Sequence, residues 1–169
     1  MIYYAAIPLS IFIVVLQVAA APSFTYLGGV HADLPVVWLG CWAAARGRRE
    51  LLPLVGVTGL ALGLLGREPL GASVLALLPL AGLAVLDESP AIVGRYVTAL
   101  LVVFVGGVMF AVIHALSSFA GGEGFGSPLN ILRIAPRAAV LDVMTAALWY
   151  WPIRLLFGRH TRVGEFRRM

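Results

Sequence analysis

Long apolar runs fill this sequence, and a four-residue basic segment, Arg46-Gly47-Arg48-Arg49, separates two of them. A run of about 20 apolar residues is the length an α-helix needs to cross the hydrocarbon core of a bilayer. It must be a helix, because lipid offers no partner to an unpaired backbone N–H or C=O. A short arginine-rich loop between two such runs is held on the cytoplasmic side, so this one loop sets the direction of every helix around it. Composition points the same way: 61% of residues are hydrophobic and only 12% are charged, against about a quarter charged in an ordinary globular domain.

The pattern predicts six spans in a single transmembrane domain, 1–169, at residues 3–21, 26–45, 51–66, 70–86, 91–119 and 136–157. Tyr3 and Tyr4 open the first span as interfacial anchors, and Pro22 and Ser23 end it. Ala19, Ala20 and Ala21 resemble a signal-peptide cleavage site, but no basic segment precedes the run, so an uncleaved span is expected. The second span is expected to begin near Tyr26, with Pro35 tolerated in its first turn. Pro79 should kink the fourth span, and Ser89-Pro90 should cap the fifth. Residues 129–135 read as a short amphipathic stretch leading into the sixth, whose far end carries the aromatic belt Trp149, Tyr150 and Trp151.

Six spans place Arg46, Arg48 and Arg49 on the same side as the basic tail, which holds Arg154, Arg159, Arg162, Arg167 and Arg168. Five would strand one cluster outside. The expected architecture is therefore an all-α polytopic membrane protein with six transmembrane helices and both termini cytoplasmic. The basic balance, net charge +4, is accounted for by topology and anionic headgroups, with no nucleic acid implied.

An ionisable group inside a span is costly and marks function or interhelical contact. Asp142 lies within the sixth span, Arg133 and Arg137 are four apart near its outer end, and His114 lies in the outer third of the fifth. Interhelical polar contact or snorkelling arginine at the interface is the plainer reading; a buried cluster of Asp142, Arg137 and His114 holding these two helices in register, and a small-ligand or proton site, are the others. Gly56, Gly59, Gly63 and Gly66 share one face of the third span, a surface for close packing on another helix, inside the protein or in a partner. Cys41 is the single cysteine and reads as a small buried hydrophobe. His31 and Asp33 are too few for a metal site and read as a solvated loop. No P-loop, G-x-S-x-G, H-E-x-x-H or C-x-x-C occurs, so no enzyme activity, cofactor or metal is expected.

Three segments in order resemble the MreD family, rod-shape-determining membrane proteins of the bacterial cell-wall elongation machinery. They are Ala32-Asp33-Leu34 opening a run that closes in Ala45-Arg46-Gly47-Arg48-Arg49, the glycine-rich span closing in Glu68-Pro69-Leu70-Gly71, and Trp151-Pro152-Ile153-Arg154 before a basic tail. Two segments depart from the pattern: Gly63 stands where an acidic residue is frequent, and Asp87 and Glu88 replace basic residues after span four. The resemblance implies a non-catalytic scaffold in the bacterial inner membrane, binding MreC and, directly or through it, RodA, the class B penicillin-binding protein and MreB. It also implies a fold similar to the substrate-binding subunits of energy-coupling-factor transporters. Membership of that vitamin-transporter group is the alternative reading, though Ala6-x-x-x-Ser10 is a poor match to its docking pattern.

Overall fold

A computed structural model describes residues 2–20, 32–46, 48–66, 70–84, 92–120 and 128–157; at some helix ends it describes the backbone without the side chains. Six α-helices occupy these residues, with no strand among them: α1 Ile2–Ala20, α2 Leu34–Arg46, α3 Arg48–Gly66, α4 Leu70–Leu83, α5 Ile92–Ala120 and α6 Pro128–Phe157. The all-helical expectation is met. Two helical segments, Gly94–Ser117 and Ile134–Phe157, are long and apolar enough to cross a membrane.

The shortest helix organises the rest. α2 has 13 residues, about 20 Å at 1.5 Å per residue, and Pro35 to Ala44 are all buried. A helix apolar all round must be surrounded by protein or lipid; here protein surrounds it. The other five helices form an arc in the order α1, α3, α4, α5, α6, and α2 packs against every one of them. Trp38 and Trp42 fill the centre with ring centroids 5.2 Å apart, and Phe157 from the end of α6 packs on Trp42 at 5.3 Å. α1 and α6, the two ends of the arc, both close on α2.

Contacts along the helices fix their directions. Gln17 of α1 meets Leu34 at one end of α2, while Ser10 meets Trp38 one turn further along, so α1 and α2 are antiparallel. Asp142 lies at the start of α2 and the carbonyl of Phe157 at its end, so α6 runs parallel to it. Helix direction thus alternates, and the N-terminus of α1 and the C-terminus of α6 lie at the same end of the bundle. Arg46 is at that end too, joined to Glu50 through Nε at 2.8 Å and to the Phe157 carbonyl at 3.4 Å. Arg48 and Arg49 begin α3 there, with side chains outside the described set.

Several boundaries differ from expectation. The second span was placed from residue 26; residues 32 and 33 are not helical, and α2 starts at Leu34. Proline at 35 has no N–H, and in the first turn of α2 that absence leaves no ladder bond unmade. Conversely, residues 129–135 and the sixth span form one helix of 30 residues that runs through Pro136. α3 starts three residues early, at Arg48. Arg159, His31, the Asp87-Glu88 and Ser89-Pro90 turns, and the Arg67-Glu68-Pro69 connection lie outside the described residues.

Candidate functional site

The start of α2 poses a problem of backbone chemistry. The first four N–H groups of any helix lack intrahelical partners, and here they lie at the half-buried end of a bundle. Two are bound by side chains of the helices at the ends of the arc. The Asp33 N–H donates to Asp142 Oδ1 at 2.6 Å, and the Leu34 N–H donates to Gln17 Oε1 at 3.1 Å. Pro35 brings no N–H at all. The fold's own ladder then begins, with the Val37 N–H on the Asp33 carbonyl at 3.1 Å. Asp142 and Gln17 therefore cap α2 from outside its own sequence. The carboxyl group also faces the positive end of the α2 dipole, which favours negative charge there.

A second polar link fastens the same pair of helices one turn deeper. The indole Nε1–H of Trp38 donates to Ser10 Oγ at 2.8 Å, and the Ser10 hydroxyl donates to the Ala6 carbonyl at 2.8 Å. Ser10, Gln17 and Asp142 are all buried. Each buried polar group gains a partner that lipid or apolar packing would deny it.

Asp142 fits only because its neighbour on α5 is glycine. A Cβ at Gly107 would stand 2.7 Å from Asp142 Oδ2 and 3.6 Å from Ala139. Oδ2 itself is buried with no hydrogen-bond partner, packed on the α5 backbone. Gly107→Ala should cost about 1–2 kcal/mol, the overpacking of one methyl with partial relief by rotation of the carboxyl. The cost should shrink when Asp142 is already Ala, since the clash is then gone. Equal costs in both backgrounds, measured by unfolding in detergent, would show that the two residues are not coupled.

The expected trio is not assembled. Arg137 is exposed and makes no ion pair with Asp142. Five residues along a helix is about 140° around it, so the two point to different sides. His114 stacks on Phe110 at 5.9 Å and lies seven residues, about 10 Å, beyond Gly107, the position opposite Asp142. Arg133 is within α6, one turn before Arg137, with its side chain outside the described set. The partners of Asp142 come instead from α2. Sequence reasoning missed Gln17 and Ser10; their signal is being the only polar side chains in the apolar run of α1 between Ala5 and Ala20.

The glycine face divides. A Cβ on Gly59 would meet Val74 Cα of α4 at 2.7 Å, so Gly59 serves the internal contact of α3 with α4. Gly63 is buried as well, Gly66 is half-buried, and a Cβ on Gly56 would meet nothing within 4 Å. Close approaches unforeseen in the sequence occur at Gly40, against Val103, and at Gly106, against Leu80. Among the described residues no three His, Cys, Asp or Glu side chains form a group that could hold a metal. The polar node is thus an arrangement that ties α1, α2 and α6 together at one end of the bundle. No protein-family model matches the chain, and neither a curated protein nor a solved structure matches it.

Proposed function

We propose that the chain is a non-catalytic, six-span scaffold of the bacterial inner membrane that joins the cell-wall elongation complex through MreC. One observation carries the membrane part of this reading: the arc helices are apolar on both their inner and outer sides. Phe12 of α1, Leu64 of α3, Leu75 of α4, Leu101 of α5 and Leu148 of α6 are all exposed, among many similar side chains. Isolated exposed apolar residues are ordinary, but a continuous apolar exterior marks contact with lipid or protein. Four helices also carry internal prolines, at Pro8, Pro53, Pro79, Pro136 and Pro152, which is more frequent in membrane helices than elsewhere.

Three features support a scaffold over a carrier or an enzyme. The centre of the bundle is filled by the indoles of α2, where a carrier would need room for its ligand. The polar node spends its donors and acceptors on fixing helices. The ordered segments around Asp33-Leu34, Pro69-Leu70-Gly71 and Trp151-Pro152 resemble MreD. The scaffold would present its apolar exterior to the single membrane helix of MreC, by the close packing that drives association in lipid, and its basic end to the cytoplasm.

Affinity purification from detergent tests this reading. A tagged chain should recover a single-span coiled-coil protein together with the synthase. Recovery of ATPase subunits, or of a bound vitamin, would overturn it in favour of the transporter subunit.

A further inference from the structure

We propose that Arg154 forms a site for the phosphate of an anionic lipid headgroup at the basic end of the bundle. The proposal rests on the membrane reading above and extends it to a particular ligand. Arg154 is in the last turn of α6 and half-buried. Its guanidinium carbon is 6.0 Å from the centroid of the Tyr150 ring and 5.8 Å from that of Trp151, so two aromatic faces fix the plane of the group. Tyr150 is itself braced by Tyr96 of α5, with centroids 5.1 Å apart.

The charge of Arg154 has no acidic partner among the described residues. Among the described residues, Glu50 at this end is paired with Arg46, and Arg154 Nη1 has no hydrogen-bond partner. A cation held this way against aromatic rings leaves its outer edge to a group from outside the protein. The surroundings say which group. Trp151 and Leu155 beside it are exposed and apolar, as in an interfacial aromatic belt, and a planar guanidinium matches phosphate geometry in a bidentate fashion. Arg137, by contrast, is exposed toward the other end of α6 with no comparable aromatic seat in its vicinity among the ring contacts described.

The test uses the full-length protein in nanodiscs and in vesicles. Phosphatidylglycerol, compared with phosphatidylcholine, should raise the unfolding temperature of the wild type. Arg154→Ala should reduce the preference for the anionic lipid about fivefold, the effect of one arginine at an anionic surface. Arg154→Lys should retain part of it, and Arg137→Ala should leave it intact. An undiminished preference in Arg154→Ala would overturn the proposal, as would an equal shift from inorganic phosphate, which would make this a free-anion site. If Arg154→Ala does not fold, Arg154→Gln, which removes the charge and keeps most of the side chain, carries the same comparison. Flotation separates this proposal from the reading beneath it: a chain that floats with vesicles but ignores headgroup charge contradicts only the lipid site, whereas one that stays in the aqueous phase contradicts the membrane reading itself.

Discussion

Replacing Asp142 with alanine should destabilise the bundle by about 2–3 kcal/mol, the range for orphaning a buried donor at a helix start. Thermal unfolding in detergent should register this as a fall of roughly 5–10 °C. Two effects oppose each other here. The carboxyl is fully buried, and Oδ2 has no hydrogen-bond partner, so its removal returns some desolvation energy. Its loss also leaves the Asp33 N–H, now held at 2.6 Å, without an acceptor at the positive end of a helix. Polar contacts between membrane helices average only about 0.6 kcal/mol, because the separated helices find other partners. The Asp33 N–H is half-buried at the positive end of α2, where the carboxyl is also favoured by the helix dipole, and the orphaned donor should dominate. Asp142→Asn keeps an acceptor and should cost less than half as much. An alanine variant as stable as the wild type would mean that this carboxyl does not hold the fold and is retained for another purpose.

Gly59→Ala should cost a similar 2–3 kcal/mol, for a different reason. Its added methyl would lie 2.7 Å from Val74 Cα and 2.8 Å from Val74 Cγ2. The first is backbone, which no rotamer change can move, so α3 and α4 must separate. Gly56, one turn earlier on the same helix, opens onto free space. Alanine there should be neutral or stabilising by up to about 1 kcal/mol through helix propensity. The contrast separates internal packing from docking. Unfolding of the two variants measures the first, and recovery of the partner by Gly56→Leu measures the second. Equal effects of Gly56→Ala and Gly59→Ala on unfolding would remove the assignment of Gly59 to the α3–α4 contact.

The number and order of helices were legible in the sequence because apolar run length and turn residues are local signals. Gly66 closes α3, and the Arg46–Arg49 segment is where α2 gives way to α3. The node was only half legible. Asp142 stands out because a carboxyl in an apolar run is expensive wherever it points. Its partners do not stand out, because one is the backbone of Asp33, which any residue could supply. Proximity on adjacent helices suggested Arg137 and His114, but helical phase sends Arg137 to another side of α6 and antiparallel register carries His114 two turns away. The central position of α2 was equally hidden. Its all-round burial depends on five neighbouring helices, which no local signal reports. Glycine spacing marked the α3 face, yet the tight fits at Gly40, Gly106 and Gly107 follow from which helix lies opposite, a tertiary fact.

The alternation of helix directions and the convergence of Arg46 and Arg154 at one end support the central proposal, six crossings with both termini in the cytoplasm. A reporter active only outside the cytoplasm tests it most directly. Fused after Met169 it should be inactive, and inserted at Glu123, between α5 and α6, it should be active. Activity after Met169 would contradict the six-crossing account.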